Sequence, residues 1–399
     1  MSIIFQHHYR TNDYHAMRVL VEKCLLAMCL LFLLTSCGSA ATAPFTPPPP
    51  TSTPIISTAT PTIEPLITSL TDFNAYLEGL VSEDLFSGAV LIAQNEEILM
   101  EAAYGLADQS LDIPNQIDTK FNLGSMNKMF TAVAILQLAE SGKLSLNAPI
   151  VNYLPDYPNT EVANQVTIHH LLTHTSGLGD VFTEQFAAAP NNFRSNADYL
   201  PLFVNEPLLF QPGEQFFYSN AGYVVLGLII ERVSGQGYDD HILQNILETS
   251  GMVNTGAFEI DANTPNLAVG YTTQDINGNE TGVLTSNSTM MPGKGFAAGG
   301  GYSTVEDLFH FRNALLDFEL LSPESTDLLL TGTVVAGENS RYAYGFFDRM
   351  VSGQRVIGHG GGAPGVCSFL NMYPDTGYSV IVLSNSDNGC RLVLDYINK

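Results

Sequence analysis

The chain has 399 residues, which is enough for one large domain or two smaller ones with a substantial core. It carries 15 Lys and Arg against 40 Asp and Glu, a formal net charge of −25. This charge disfavours binding to nucleic acid and to anionic membrane surfaces, because both are negatively charged. The acidic residues are spread along the chain, so we expect them to contribute mainly to solubility.

The first 37 residues have the pattern of a bacterial export signal. Two basic residues precede an apolar run over residues 24–34, which has the length of a signal-peptide core and is short for a membrane span. The run ends in Leu-Thr-Ser-Cys-Gly, which resembles a lipoprotein box. The resemblance implies cleavage before Cys37 and lipid attachment to it, with a simple secretory signal or an anchor helix as alternatives. Met17 is a second candidate start, since residues 1–16 precede an otherwise complete signal.

A tract rich in Pro, Thr, Ser and Ala follows over residues 38–66 and contains four consecutive prolines. Such a composition cannot bury a core, so it predicts an extended, semi-rigid stalk. A stalk behind a lipidated cysteine would hold a globular domain away from the membrane. The predicted organisation is therefore a signal over 1–37, a stalk over 38–66 and a globular domain over 67–399. The predicted location is outside the cytoplasm, anchored to the membrane by lipid or, alternatively, secreted.

In the globular part, strand patterns lie near both ends and helix patterns lie between them. The predicted strands cover residues 88–94, 97–104, 356–358, 366–373 and 378–383. The predicted helices with clear bounds cover residues 67–86, 198–206, 221–233 and 389–398. This order predicts an α/β fold of the α+β type, with an antiparallel sheet formed from both termini and flanked by helices. Residues 140–290 would be a mostly helical insertion, and 273–281 an exposed hairpin tip with no part in a site.

Ser125 and Lys128 stand at the start of a helix pattern that is apolar nearly all round. Residues three apart share a helix face, so the serine hydroxyl and the lysine ammonium can meet. A buried lysine loses its charge readily and can act as a base, while a serine at a helix N-terminus lies among unpaired N–H groups. The pair predicts an activated nucleophile. An isolated Ser-x-x-Lys is common by chance, and the apolar helix is what favours this interpretation.

Two further segments carry residues suited to chemistry. Tyr218 and Asn220 open a long apolar helix, where an aromatic staple and an N-cap are the simpler interpretations. Residues 358–362 read Gly-His-Gly-Gly-Gly after a strand. Glycines there let the backbone approach a ligand and leave N–H groups free for an oxyanion, although a plain glycine-rich turn is the alternative.

Two other segments are interpreted as structural. His170 and His174 have no carboxylate at metal-ligand spacing, so we expect packing roles for them. Residues 297–307 read as a glycine-rich loop and an acidic helix start that lines the site mainly by packing. We therefore expect no metal and no organic cofactor.

The chain resembles the penicillin-recognising serine hydrolases in the order of three motifs, Ser125-x-x-Lys128, Tyr218-x-Asn220 and His359-Gly360-Gly361. Within that group it is most similar to the branch of class C β-lactamases, D,D-peptidases and esterases. The His-Thr-Ser-Gly-Leu and Ala-Gly-Gly-x-Tyr-Ser-Thr segments also fit that branch. The resemblance covers roughly residues 70–397, and it is far more specific for family than for substrate.

The resemblance implies a role for each matched residue. Ser125 would be the acylated nucleophile and Lys128 would help to deprotonate it. Tyr218 would carry protons to Ser125 and to the leaving group. Lysine and tyrosine both have ordinary pKa values near ~10, so one of the two must be lowered, and the sequence leaves open which.

The same resemblance assigns the walls of the cleft. Asn220 would hold Lys128 and the substrate amide, and His359 would line the far wall with Gly360 and Gly361. The N–H groups of Ser125 and Gly362 would form the oxyanion hole.

The third motif departs from the family pattern. β-Lactamases usually have Lys-Thr-Gly, whose lysine attracts the substrate carboxylate, whereas this chain has His359-Gly360-Gly361. A histidine is largely neutral at pH 7, and glycine lacks the threonine hydroxyl. This favours a serine hydrolase that acts through an acyl-enzyme on esters, D-amino-acid peptides or amides. The alternatives are a penicillin- or peptidoglycan-binding protein without turnover, and a true class C β-lactamase.

Five cysteines are present, of which Cys367 and Cys390 would remain unmodified after export and lipidation. They could form a disulfide in an oxidising compartment, but a sequence does not show their separation. Apart from the membrane anchor, the expected partner is a small-molecule or peptide substrate, and the predicted state is a monomer.

Overall fold

Eight strands form one antiparallel sheet in the computed structural model, which describes residues 66–67 and 69–398. The predicted signal, Cys37 and the stalk up to residue 65 lie outside the described residues. The strands of the chain are β1 (Gly88–Gln94), β2 (Glu97–Tyr104), β3 (Leu106–Asp108), β4 (Ile113–Pro114), β5 (Phe121–Asn122), β6 (Tyr271–Gln274), β7 (Glu280–Ser286), β8 (Tyr302–Ser303), β9 (Val334–Gly337), β10 (Ser340–Tyr342), β11 (Phe347–Val351), β12 (Gln354–Ala363), β13 (Val366–Tyr373) and β14 (Tyr378–Ser384).

The large sheet joins the two ends of the domain. Its strand order is β2-β1-β14-β13-β12-β11-β10-β9, and every neighbouring pair is antiparallel. The two termini meet where β1 pairs with β14, with Gly88 opposite Ser384 at one end and Gln94 opposite Tyr378 at the other. This confirms the predicted α/β fold with an antiparallel sheet built from both termini. The remaining strands form three short ribbons, β3 with β4, β5 with β8 and β6 with β7.

The helices are α1 (Leu70–Ser82), α2 (Asn127–Glu140), α3 (Thr160–Gln165), α4 (Ile168–Leu172), α5 (Glu184–Ala188), α6 (Asn196–Tyr199), α7 (Asn220–Ser234), α8 (Tyr238–Ile242), α9 (Val305–Leu316), α10 (Pro323–Leu330) and α11 (Gly389–Ile397). Short 3₁₀ turns cover Gly124–Met126, Ile150–Asn152, Pro190–Asn192 and Leu200–Leu202, and a π turn covers Leu243–Leu247. Within the described part of the chain, no helix is both long and apolar enough to cross a membrane.

Helices cover both faces of the sheet. The side chains of β1 point alternately to these two faces and pack against the helices on each. Val90 and Ile92 point into a core shared with α1 and α11, whereas Ala89 and Leu91 point into a larger core shared with α2, α7 and α9. Because successive strand residues face opposite sides, a strand buried on both faces is apolar throughout. The larger core surrounds α2 on nearly every side, as its all-round apolar sequence predicted.

Several predicted boundaries are wrong for local physical reasons. The first helix begins only at Leu70, because Ser69 caps it by accepting a hydrogen bond from the Asp72 N–H at 3.1 Å. The helix predicted over 198–206 is α6 followed by a 3₁₀ turn whose second residue, Pro201, has no N–H to donate. Residues 140–290 also hold the β6–β7 hairpin among short helices, and are less helical than predicted.

The strand predicted over 356–358 continues to Ala363, so the Gly-His-Gly-Gly-Gly segment is strand and not a turn. Its glycines serve close approach of the backbone. A Cβ built on Gly361 would overlap the carbonyl oxygen of Leu123, and one built on Gly358 would overlap that of Leu370. The end of β12 can therefore lie directly against the turn that precedes α2.

Candidate active site

A cleft of about 720 Å³, counted to its open mouth, lies over the start of α2. Its lining residues are Asn122, Gly124, Ser125, Phe182, Thr183, Phe186, Ala187, Asn220, Ile276, Asn277, Met290, Met291, Pro292, Phe296, Ala298, Gly299, Gly300, Gly362, Ala363 and Pro364. The cleft therefore joins Ser125 and Asn220 from the helical region with the end of β12.

Ser125 lies in the 3₁₀ turn Gly124–Met126 that leads into α2. Gly124 has a φ of 48°, in the left-handed region that glycine adopts at little cost. A Cβ at this position would lie 2.8 Å from the Gly362 backbone nitrogen. The missing side chain thus allows β12 to bring Gly362 beside Ser125, where the sequence predicted an oxyanion hole.

Lys128 follows one turn later and is fully buried. Its Nζ contacts three acceptors, the Ser125 Oγ at 3.1 Å, the Asn220 Oδ1 at 2.7 Å and the Ala298 carbonyl oxygen at 2.5 Å. Burial lowers the Lys128 pKa to about 7, and the Asp180 charge opposes that shift. A neutral amine at this position has a lone pair available for the Ser125 proton, which is what a general base requires.

Asn220 is the first residue of α7 and does not act as its N-cap. Ser219 has that role, because its Oγ accepts from the Gly222 N–H at 3.2 Å. The Asn220 side chain is instead held between two other side chains, with Oδ1 accepting from the Lys128 Nζ and Nδ2 donating to both Asp180 oxygens at 3.0 and 3.1 Å. The amide orientation is therefore fixed by a carboxylate on one side and an amine on the other.

Asp180 is a site residue that the sequence analysis missed. It lies in the loop after α4, and its Oδ1 also accepts from the Val181 N–H at 2.6 Å. Burial raises the Asp180 pKa, while the Asn220 amide and the backbone donors oppose the rise. The one available signal was its place directly after the His-Thr-Ser-Gly-Leu-Gly segment, which the sequence analysis had interpreted as structural.

Tyr218 lies on the other side of the lysine. The Lys128 Nζ is 4.9 Å from the centre of the phenol ring. Burial raises the Tyr218 pKa, and the Ser125 hydroxyl nearby offsets part of the rise. Within the described residues, the phenol hydroxyl is buried and has no hydrogen bond of normal geometry. The lysine is thus the group with the lowered pKa, and the tyrosine is a neutral phenol able to donate its proton.

His359 is buried behind the cleft, and neither it nor Gly360 or Gly361 is part of the lining. Its Nδ1 lies 2.6 Å from the Gly360 carbonyl oxygen and its Nε2 lies 3.2 Å from the Tyr342 hydroxyl. A carbonyl can only accept, so Nδ1 carries the proton and Nε2 accepts from the tyrosine. Burial and the charge of Lys128 lower the His359 pKa to about 3, which keeps the ring neutral.

His174 and His170 support the site from outside the cleft. The His174 ring packs 4.2 Å from the Tyr218 ring, and its Nδ1 accepts from the Ser219 N–H at 3.1 Å. His170 Nδ1 accepts from the Thr167 N–H in the cap of α4. Both histidines therefore make the structural contacts that the sequence analysis expected.

The 297–307 segment has the expected position. The Ala298 carbonyl binds Lys128, and Gly299 and Gly300 line the cleft. Thr304 then caps α9 by accepting from the Asp307 N–H at 3.1 Å.

The prediction that the 273–281 hairpin has no part in a site is wrong. β6 and β7 form the predicted hairpin, but Ile276 and Asn277 at its tip line the cleft. The error arose because the tip sequence, Asp-Ile-Asn-Gly-Asn, is typical of an exposed turn, and only the fold brings its one apolar residue to the cleft that Ser125 lines.

Cys367 on β13 and Cys390 on α11 are both buried, free thiols, so the possible disulfide is not formed. Burial and the neighbouring Cys367 thiol raise the Cys390 pKa. Both belong to the core on the α1 and α11 face of the sheet, away from the cleft.

This chain is similar to known proteins over the region that contains the cleft. The sequence model of the family described as Beta-lactamase matches residues 73–396. PbpX of Bacillus subtilis (strain 168) is 31% identical over 327 residues, which are 80% of this chain and 76% of PbpX.

Two solved structures are also similar. A penicillin binding protein from Bacillus halodurans superposes with a TM-score of 0.73 at 35% identity, covering 81% of this chain and 98% of that one. A D-stereospecific amidohydrolase from Streptomyces sp. gives a TM-score of 0.69 at 25% identity, covering 82% and 98%.

Proposed function

This chain belongs to the beta-lactamase family, as its motifs predicted, and we propose that within this hydrolase family it is an esterase or amidase that works through a Ser125 acyl-enzyme. The observation that carries the proposal is the buried Lys128 amine, whose pKa is lowered to about 7 and whose Nζ lies 3.1 Å from the Ser125 Oγ. A serine beside a neutral, buried amine has the arrangement of an activated nucleophile.

The reaction follows from these contacts. Neutral Lys128 takes the Ser125 proton as Oγ attacks the substrate carbonyl carbon. The oxygen that becomes negative is received by the N–H groups of Ser125 and Gly362. Tyr218 then donates its proton to the leaving oxygen or nitrogen as the carbonyl–leaving-group bond breaks, and protonated Lys128 restores it. Water attacks the acyl-enzyme by the reverse proton transfers, which releases the acid and frees the serine.

Esters and amides are favoured over β-lactams because the cleft offers no permanent cation. His359 stands where β-lactamases usually have a lysine, and its pKa of about 3 keeps it neutral. A substrate carboxylate would therefore meet no opposite charge there. The D-stereospecific amidohydrolase among the similar structures supports D-amino-acid amides as one candidate substrate class. β-Lactam hydrolysis and binding without turnover are the alternatives to test against.

The test compares Ser125→Ala with Ser141→Ala, which removes an exposed serine from the far end of α2. Both variants and the parent are given a fluorophosphonate probe, p-nitrophenyl acetate, D-phenylalanine amide and nitrocefin. We expect labelling and ester turnover in the parent and in Ser141→Ala, and loss of both in a folded Ser125→Ala. Undiminished ester turnover in Ser125→Ala would overturn the proposal. A stoichiometric burst without steady turnover would favour the binding protein, and nitrocefin as the best substrate would favour the β-lactamase.

For its location, we propose that the enzyme is an extracytoplasmic lipoprotein held through Cys37. The supporting observation is the apolar run that ends in Leu-Thr-Ser-Cys-Gly and is followed by a proline-rich stalk. Metabolic labelling with an alkyne fatty acid should mark the parent in the membrane fraction, and Cys37→Ala should lose the label. Labelling that persists in Cys37→Ala would contradict lipid attachment at this residue.

A further inference from the structure

The cleft over Ser125 is lined without a charged side chain. Among the described residues that form its wall, none is Asp, Glu, Lys, Arg or His. The polar side chains there are the hydroxyls of Ser125 and Thr183 and three neutral amides. The larger part of the wall is apolar, with its bulk supplied by Phe182, Phe186, Ile276, Met290, Met291 and Phe296.

The apolar wall is built on a packed aromatic cluster. The rings of Phe182 and Phe186 lie edge to face at 5.1 Å, and Phe296 stacks on Tyr199 at 4.1 Å. Phe186 and Tyr199 are also neighbours, at 6.2 Å. Rings that pack against each other are already ordered, so a ligand that covers them has little side-chain entropy to overcome.

The position of the wall relative to the reacting groups indicates which part of a substrate it holds. Ser125 and Gly362 both line the cleft, so a carbonyl attacked by the serine lies within it. Tyr218, which would protonate the leaving group, does not line it. The leaving group therefore lies on the Tyr218 side of the serine, and the acyl part extends along the apolar wall.

A negatively charged acyl group would find no compensation here. Lys128, the basic side chain that contacts Ser125, is fully buried with its pKa lowered to about 7, and its Nζ contacts are taken by protein acceptors. The chain as a whole carries a formal charge of −25, which repels anions at longer range. Burying a carboxylate against apolar walls without a partner is strongly unfavourable.

We propose that the cleft is the acyl site of this enzyme and that it selects an apolar acyl group without a negative charge, with Ile276 at the β6–β7 tip as a specificity-determining residue. The proposal rests on the proposed acyl-enzyme function and adds the substrate class. Each methylene that the wall covers should raise kcat/KM by about three- to fourfold, up to the length of the cleft.

The test uses two substrates of the same shape. In p-nitrophenyl 5-methylhexanoate the acyl chain ends in two methyl groups, and in mono-p-nitrophenyl glutarate two carboxylate oxygens take their place. We expect kcat/KM of the parent to favour the apolar ester on the order of 100-fold, because the carboxylate would be desolvated. The series from acetate through butyrate to hexanoate measures the gain per methylene.

A matched pair of variants localises the effect. Ile276→Arg places a cation in the cleft lining, whereas Val283→Arg adds the same charge to the same hairpin at a side chain that is 61% exposed and outside the lining. Ile276→Arg should shift the ratio towards the glutarate ester by about tenfold, and Val283→Arg should leave it near the parent value. Melting temperatures check that both variants fold.

The outcomes separate this inference from the proposed function. Loss of ester turnover in Ser125→Ala together with a parent ratio near one would overturn the apolar acyl site and leave the hydrolase in place. Equal shifts in the two arginine variants would overturn the role of Ile276. A selectivity that follows the length of the alcohol part, measured with a series of alkyl acetates, would assign the wall to the leaving group instead. Undiminished turnover in Ser125→Ala would overturn both proposals.

Discussion

Lys128 and His359 are two buried bases that both lie near Tyr218, with the Lys128 Nζ 4.9 Å and the His359 ring centre 6.2 Å from the centre of the phenol ring. Burial lowers the pKa of each. The lysine reaches about 7, within the working range of a base, and its Nζ touches the Ser125 Oγ. The histidine reaches about 3, and both its ring nitrogens are engaged by Tyr342 and by the Gly360 carbonyl. The same physical cause thus produces a general base in one place and a neutral packing group in the other.

The difference teaches that position, more than residue type, determines what a buried base does here. Lys128 can exchange its proton with Ser125, whereas His359 is neutral and bonded to groups that take no part in the chemistry. Because the pKa values of both bases are lowered, neither offers a permanent cation to a substrate in the cleft. Substitutions at Lys128, at His359 and at Asp180, whose charge raises the Lys128 pKa, test this contrast.

The largest effect is expected for Lys128→Met, which removes the base. Loss of a general base typically costs 10²- to 10⁴-fold, so we expect kcat for p-nitrophenyl esters to fall about 10³-fold. Lys143→Met, which neutralises an exposed lysine just beyond α2, should keep the parent rate. Stopped-flow measurement of acylation and a thermal melt of each variant separate loss of chemistry from loss of folding. A folded Lys128→Met that acylates at the parent rate would assign the base to another group.

An intermediate effect is expected for Asp180→Asn. The Asp180 charge raises the Lys128 pKa, so neutralising it should lower that pKa and move the acidic limb of kcat/KM, near pH 7 in the parent, to lower pH. The Asn220 amide would also lose one of its two acceptor oxygens and the charge on them, and we expect kcat to fall about tenfold at pH 8 as the amide is held less firmly.

The control is Asp156→Asn, because Asp156 is 84% exposed and pairs with Arg232 on the surface. It removes the same charge and should leave the limb in place. A limb that does not move in Asp180→Asn would show that Asp180 supports only the structure of the loop.

The sequence predicted one part of the large sheet, because β1, β2 and β13 begin and end where their apolar patterns do. It did not predict β9, β10 and β11, which complete the same sheet at its other edge. It also brought Ser125, Lys128 and Asn220 together through motif order. It did not reveal Asp180 or Ile276, because each reaches the site only through a loop whose course depends on the rest of the fold. A neutral His359 was expected from the sequence, but the lowering of its pKa to about 3 was not, since that depends on burial and on the charge of Lys128, which lies far away in the chain.

The smallest effect on activity is expected for His359→Gln, whose amide can donate to the Gly360 carbonyl and accept from Tyr342 as the ring does. Because the ring is already neutral above about pH 4, the pH profile of kcat/KM should keep its acidic limb near pH 7. The plateau value of kcat/KM should fall by less than about threefold. A limb that disappears in His359→Gln would make the histidine the titrating base and reverse the contrast with Lys128.

Stability gives an independent readout of the same substitution. The folded pKa of His359 is about 3, below the ordinary value of 6.5, so the unfolded chain binds more protons between these values. The free energy of unfolding of the parent should therefore fall as the pH drops below about 6.5, and this component should be absent in His359→Gln. Urea unfolding of both proteins at pH 7 and pH 4.5 measures the difference. Parallel losses of stability in the two proteins would show that His359 titrates alike in the folded and unfolded states, and so is not held neutral by burial.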